Sequence, residues 1–465
     1  MWVECPNSDQ KFSFIEKYLM KGNTMIKNYR KAGSFRVRSK SIVIVTALAV
    51  GSLLGLNSAA EAASGTVSYG VLSCFTGPLA SLGQGIYQGA QIAQAQVNAA
   101  GGVLGKKLLI PQGDTGCDPV EGKTALLHLI SGGGIAGIIG PTTQEINAVE
   151  PVLHSNKIID EFQGGDTSRD TQTDPYLFRS SPSDSQLGVA MATYAHIKGY
   201  KKADLLFYSD AAAQTIVKPV SDTYKKLGGI VIHSYTIQAG LSSYTNTVSQ
   251  IIADKPQVIF TQTDAPTVGV LSTEFKQLGS KTPWIGTDVT ASADYLKAFG
   301  LVQAHALFTS VYGSSVNSAA NNIFMAGFNK LSPAAVKAGV LSGANYAYDS
   351  VISLALADSY ARSTDGTKAA KAMSKVTNPP GTPCFAYAPC LALIKAGKKI
   401  NYEGASGSID YNKFNNAFGP YAAYVANGKT GNEVQGTTLS GKVLFDVTNC
   451  TTTAKCLSSL KADGL

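Results

Sequence analysis

Residues 83–89 read GQGIYQG, and the role of these glycines decides the fold. In this arrangement glycines can open a helix beneath a dinucleotide's pyrophosphate, which would make the chain a cofactor-binding enzyme. Such a site needs its first glycine in the tight turn leaving the strand. Here SCFTGPLASL, residues 73–82, separates Gly83 from the strand that TVSYGVL, 66–72, predicts. That spacing argues against a pyrophosphate turn. The glycines fall instead in the first turns of a helix predicted over Leu82 to Ala99, where Leu82, Ile86, Ala90, Ala93 and Val97 share one face and Gly101 closes the run. Small residues there permit close packing on the sheet.

The same alternation continues along the chain. KLLIPQ (107–112), GIAGIIG (134–140), KIID (157–160), ADLLFY (203–208), IVIHSYT (230–236), QVIF (257–260) and PWIG (283–286) predict buried strands, with helical patterns between them. CDPVE, 117–121, carries a full set of helix start signals: Asp118 suits the N-cap, Pro119 the first helical position and Glu121 the third. Alternation of this kind gives an α/β fold of doubly wound parallel sheets, which bind ligands outside the carboxyl ends of their strands. After about Lys330 the pattern changes to a helix over Tyr346 to Tyr360, a Pro/Gly-rich loop at TNPPGTPC, and short strands joined by turns in the segment 400–428.

At 465 residues the chain exceeds one ordinary core, so two domains are expected after any targeting segment is removed. Lys27, Arg30, Lys31, Arg36, Arg38 and Lys40 precede an apolar run, Ser41 to Leu56, and SAAEAAS follows with small residues at Ala60 and Ala62. This is the pattern of a cleaved signal peptide, with cleavage near Ala62 to Ala63. A spanning anchor would need about 20 apolar residues. No cysteine follows the run, so a lipoprotein is not expected, and the mature protein is expected to be periplasmic or secreted. The net charge of +8 is largely the leader's: residues 1–63 hold 9 of 39 Lys+Arg and 4 of 31 Asp+Glu, leaving 30 against 27, or +3. A nucleic-acid partner is therefore not expected.

Of seven cysteines, Cys5 departs with the leader and six remain in an oxidising compartment. Cys384 and Cys390 are near neighbours, as are Cys450 and Cys456, which leaves Cys74 and Cys117. Fifteen pairings are possible and these three are favoured. No CxxC or clustered Cys/His spacing suggests a metal.

Several segments together resemble the leucine/isoleucine/valine-binding group of periplasmic solute-binding proteins, the type I binding proteins of ABC importers. They are residues 77–108, 114–130 (DTGCDPVEGKTALLHLI), 135–151 (IAGIIGPTTQEINAVEP), 284–288 (WIGTD) and 402–411 (YEGASGSIDY), and the likeness runs from Thr66 to Gly428. The resemblance implies two α/β lobes joined by three hinge strands, with lobe one at 66–181 and 313–405, lobe two at 182–312 and 406–440, and a tail at 441–465. It also implies a small solute closed between the lobes by a hinge motion, delivery to a membrane permease and its ATPase subunits, no cofactor and a monomeric state.

Carried over residue by residue, the resemblance places Thr143 and Gln144 of GPTTQE on a solute carboxylate. Thr142 and Glu145 there read as a capping box whose helix start attracts anions. In FQGGDTS, Gly164 would offer backbone groups and Asp166 or Thr167 a side chain, although a hydroxyl is usual where Asp166 falls. Asp288 of WIGTD stands where the family holds the solute's ammonium group, and charge-assisted hydrogen bonding explains an acid there. Asp264, Ala212 and Leu82 stand where aromatic residues line the family's pocket, and these departures change its shape and polarity. Asp166, Asp264 and Asp288 together would form an acidic cleft suited to a cationic or amide-bearing solute.

An enzyme fits poorly. His128, His196 and His233 sit in helical or strand patterns, GASGS is not a nucleophile elbow, and no P-loop lysine follows SGGGIAG. A ligand-sensing protein signalling to a membrane receptor or kinase would use the same fold.

Overall fold

A computed structural model describes residues 65–77, 79–313 and 319–465, all within the compact unit that spans residues 60–465. The leader, its cleavage site and Cys5 lie outside the described residues.

In chain order, the first segment holds β1 (Thr66–Ser73), α1 (Ala80–Ala99), β2 (Lys107–Leu109), β3 (Gln112–Asp114), α2 (Pro119–Ser131), β4 (Ile135–Ile139), α3 (Ile146–Asn156), β5 (Ile159–Glu161) and β6 (Leu177–Phe178). Its strands form a parallel sheet in the order β2-β1-β4-β5-β6, with β3 also pairing β1. Next come α4 (Asp184–Ile197), β7 (Lys202–Tyr208), α5 (Ala211–Lys226), β8 (Ile230–Ile237), α6 (Thr245–Asp254), β9 (Val258–Gln262), α7 (Ala265–Gln277), β10 (Trp284–Gly286), α8 (Ala293–Phe299), α9 (Leu301–Leu307) and β11 (Phe308–Gly313). The chain then returns to the first lobe with α10 (Ala319–Phe328), α11 (Pro333–Ala338), α12 (Ala344–Ala361), α13 (Gly366–Thr377), β12 (Thr382–Cys384), α14 (Tyr387–Lys395), β13 (Ile400–Gly404) and β14 (Gly407–Ser408). Finally β15 (Tyr421–Ala426) and β16 (Glu433–Leu439) join the second sheet, followed by α15 (Gly441–Asn449) and α16 (Thr453–Ala462).

The second sheet runs β16-β15-β11-β10-β9-β7-β8, with β15 alone antiparallel to the rest, since β16 reverses direction again against it. The main chain passes between the two sheets three times: between β6 and α4, between β11 and α10, and between β14 and β15. This is the doubly wound, two-lobed α/β architecture expected from the alternating pattern. One core holds Tyr69, Ile86, Tyr348 and Tyr402, and the other Phe207, Phe260, Trp284 and Phe308.

Two stretches pack differently from the expected division. Ile409, Tyr411 and Ala417 belong to the first lobe's core although 406–440 was assigned to lobe two, because Tyr411 reaches back to Glu161 at 2.9 Å. The tail is no separate appendage: Val443, Leu444, Val447, Cys456 and Leu460 complete the second core.

Local signals explain several helix starts. The Asp118 carboxylate accepts from the N–H groups of Val120 and Glu121 at 2.8 and 3.0 Å, with Pro119 in the first helical position. Thr142 and Glu145 form only half of the expected box. The Glu145 carboxylate accepts the Thr142 N–H (3.0 Å) and hydroxyl (2.7 Å) and also the Thr115 hydroxyl, so Glu145 itself occupies the cap of α3.

Along GQGIYQG the glycines do not meet the sheet. A Cβ at Gly83 would overlap the Cys74 carbonyl, one at Gly85 the Ser342 carbonyl, and one at Gly89 the Ala344 carbonyl at the start of α12. The close approach is therefore helix to loop and helix to helix, backbone against backbone. Gly89→Ala is expected to lower stability by about 2 kcal/mol, because neither backbone can move aside cheaply. Denaturant unfolding checks this, and an unchanged midpoint would show that α1 and α12 can separate at little cost.

The structure pairs Cys74 with Cys117, Cys384 with Cys390 and Cys450 with Cys456, with Cα–Cα separations of 4.9, 5.4 and 5.1 Å. The first pair fastens the end of β1 to the start of α2.

Candidate functional site

Between the carboxyl ends of the two sheets lies a cleft. The first lobe contributes Leu79 and Leu82 at the start of α1, Thr142 to Gln144 after β4, and Gln163 to Gly165 after β5. The second lobe contributes Asp184 and Leu187 of α4, Ala212 and Ile216 of α5, Gln262 closing β9, and Asp288 after β10. Ser181, Pro182, Tyr312, Gly313 and Tyr421 line it from the crossing segments, and Tyr346 from α12. Six residues singled out in the sequence therefore come together here: Leu82, Thr143, Gln144, Gly164, Ala212 and Asp288.

Three do not. Asp166 turns away from the cleft and accepts the Ser168 N–H and hydroxyl, each at 2.9 Å, capping a short 3-10 turn in which Thr167 lies. Asp264 caps α7 by accepting the Thr267 N–H at 2.8 Å. An Asp at a strand end that begins a helix satisfies the free N–H groups there, which is a local role. The three-aspartate cleft is thus replaced by a two-aspartate one, Asp184 and Asp288, in which Asp184 carried no sequence signal. Asp288 is free for this, because Ser292 caps α8 by accepting the Tyr295 N–H at 3.1 Å.

The electrostatics of this pair are distinctive. Burial pushes the Asp184 carboxyl up to about 7; a hydrogen bond from the Thr215 hydroxyl opposes the rise and the nearby Asp288 charge adds to it. Burial also raises Asp288, opposed by the Val289 N–H. Among the described residues, none lining the cleft is Lys, Arg or His. Two carboxyl groups thus line a low-dielectric space, and the cationic charge that reaches Asp184, from Arg179, comes from outside the lining, where Arg179 pairs with Asp170.

Tyrosines supply the walls that Leu82, Ala212 and Asp264 do not. Tyr312 stacks flat on Tyr424 at 3.9 Å and donates to Glu433 at 2.9 Å. The Tyr346 hydroxyl is buried without a hydrogen-bond partner, close against Gly313. No spacing rule reaches these residues, since Tyr312, Tyr346 and Tyr421 come from three remote segments.

The first-lobe loop is held from below. Gln163 donates to Ser350 Oγ at 2.8 Å, and Ser350, Ser353 and Tyr411 all donate to Glu161. Burial pushes Glu161 up to about 7 despite these donors. Across the cleft, Gln144 of the first lobe donates to Asp210 of the second at 3.0 Å, and the same Asp210 oxygen accepts the Ala213 N–H that starts α5. The free volume of this partly open cleft is about 90 Å³, below the roughly 150 Å³ that admits benzene. Entry of a solute the size of leucine is therefore expected to require the lobes to part.

A family model described as periplasmic binding protein matches residues 66–388. The chain belongs to the periplasmic binding protein family. Among curated relatives of this periplasmic binding protein, Leu/Ile/Val-binding protein homolog 3 of Brucella melitensis is 26% identical over 295 residues, 62% of this chain and 77% of that one. Other curated relatives are matched over less than two thirds of their own length. Among solved structures, a branched-chain amino acid transporter substrate-binding protein from Streptococcus pneumoniae in complex with isoleucine superposes with a TM-score of 0.67 at 20% identity, covering 80% of this chain and all of that one. An ABC-transporter solute-binding protein from R. palustris in complex with benzoate gives 0.66 at 17% identity, covering 81% and 97%. These likenesses bear on the fold.

Two groups of metal-capable side chains occur among the described residues. One contains Cys74 and Cys117, whose sulfurs bond each other. The other, Asp204, His233 and Asp254, lies outside the cleft lining.

Proposed function

We propose that this periplasmic binding protein is the extracytoplasmic receptor of an ABC importer, exported by a cleaved signal peptide and acting as a monomer without catalysis. It captures a small amino-acid-like solute bearing a cationic or amide nitrogen and hands it to the permease and its ATPase subunits. One observation carries the reading of the solute: Asp184 and Asp288 both line the cleft and no basic side chain lines it with them, the Arg179 charge that reaches Asp184 lying outside the lining and paired with Asp170. A solute ammonium between them makes charge-assisted hydrogen bonds and relieves the repulsion that a bare pair suffers. Thr143 and Gln144 stand on the opposite side, suited to the solute's polar end, and the Tyr346 hydroxyl offers one more donor.

A benzoate-type solute is the competing reading, because a structural neighbour holds benzoate and tyrosines line this cleft. An aromatic carboxylate would meet two acids and no cation in the cleft lining, so it is disfavoured. A thermal-shift screen of leucine, isoleucine, short amides, small amines and benzoates decides between them, since only a ligand of the folded state raises Tm. Stabilisation by benzoates alone would reverse the assignment, and stabilisation by nothing in the set would defeat it.

The same pair sets a pH dependence. Asp184 binds a cation only when ionised, and its carboxyl ionises at about 7. Affinity for an amine is expected to be full above that pH and to weaken as pH falls through it, by roughly tenfold from pH 8 to 6. Calorimetry across that range checks the slope. A flat profile would remove Asp184 from the contact.

A further inference from the structure

On the outer edge of the second lobe, three side chains from separate elements converge. Asp204 projects from β7, His233 from the edge strand β8, and Asp254 ends α6. A ring nitrogen of His233 and one carboxylate oxygen from each aspartate lie within 4.8 Å of one another. Asp204 is fully buried. Its Oδ1 accepts the His233 main-chain N–H at 3.1 Å, while Oδ2 has no donor group of the protein and meets the Asp254 carboxyl, with which it can share only a proton. Two carboxyl groups facing each other this way cost free energy unless a shared proton or a cation completes them, and a divalent ion displaces that proton.

The surroundings orient the other two donors. Asp254 Oδ2 accepts the Tyr235 hydroxyl at 2.6 Å and faces His233 Nδ1 at 2.7 Å. The His233 side chain is 59% exposed and that of Asp254 16%, so the group is walled by protein on one side and open to water on the other. Partners such as the Tyr235 hydroxyl and the His233 N–H fix carboxylate orientation in metal sites. Imidazole with two carboxylates is a donor set for first-row divalent ions of the zinc type, whereas calcium and magnesium take oxygen alone.

We propose that Asp204, His233 and Asp254 bind one divalent cation of the zinc class, with water completing the coordination. The ion neutralises two acids and ties the edge strand β8 to β7 and to the end of α6. The site is independent of the solute cleft.

The test uses untagged protein stripped with a chelator and titrated with zinc by calorimetry, and with cobalt by visible absorption, which reports imidazole and carboxylate ligation. One equivalent is expected to bind at micromolar or tighter affinity, raise Tm, and give a saturating cobalt spectrum. His233→Ala and Asp254→Asn, both at solvent-accessible positions, are each expected to weaken zinc binding at least about tenfold. His154→Ala, which removes a comparable exposed histidine paired with Asp174 at 2.9 Å, is expected to leave it unchanged. Absence of saturable uptake overturns the proposal, as does uptake that survives His233→Ala or is lost in His154→Ala.

Discussion

Asp288→Ala is expected to lose at least about 100-fold in affinity for the amine-bearing solute that stabilises the wild-type protein, while its unliganded Tm holds or rises. Removing one partner of a desolvated ion pair typically costs 3–5 kcal/mol, which is the source of that estimate. The fold should tolerate the change because Asp288 does not cap α8, which Ser292 starts, and bonds only N–H groups of its own short turn. Burial penalises the Asp288 charge in the empty cleft, so the truncation also relieves a repulsion with Asp184. Asp184→Asn provides the companion measurement, since an amide keeps the shape and can still accept from the Thr215 hydroxyl. If calorimetry finds both variants binding as the parent does, the two acids do not hold the solute.

The second large effect is expected from the double change Cys74→Ser with Cys117→Ser. These residues are 43 apart in sequence, and releasing a loop of that size from the unfolded-state constraint costs about 3–4 kcal/mol in the chain-entropy account. Location compounds the loss. Cys74 follows β1 beneath the glycine-lined start of α1, and Thr115 near Cys117 donates to the Glu145 carboxylate that organises the turn holding Thr143 and Gln144. Solute affinity should therefore fall together with Tm. The corresponding change at Cys384 and Cys390, which closes only 6 residues, should cost less. Equal losses in the two variants would show that loop length does not govern their contributions.

Much of the architecture was legible because buried parallel strands write themselves as continuous β-branched runs. TVSYGVL, ADLLFY and QVIF became β1, β7 and β9. Other elements left little trace: β6 has 2 residues, and β11, FTSVYG, lacks a continuous β-branched run. At the site, Thr143, Gln144, Gly164 and Asp288, on turns directly after strands, line the cleft because fold topology alone brings such turns together. Asp166 and Asp264 misled for a physical reason, since an acid at a strand end also suits the helix that follows. Asp184 is the reverse case. It sits in the first turn of α4, where Ser183 already serves as cap by accepting the Ser185 N–H at 3.0 Å. Only the packing of α4 beside the β10 turn reveals what its carboxylate faces. The tyrosine walls were invisible for the same reason, being assembled from segments far apart in the chain.

The hydrogen bond from Gln144 to Asp210 has a kinetic side. It contributes about 1 kcal/mol, a bias of roughly fivefold, and it needs no cargo, because Asp210 keeps its second donor, the Ala213 N–H, however the lobes move. The unliganded protein is therefore expected to spend part of its time shut, turning away a solute that arrives then, so capture would slow by the fraction open. Vacant, closed molecules would also queue at the transporter alongside loaded ones, and Gln144→Ala would shorten that queue by letting idle molecules fall open.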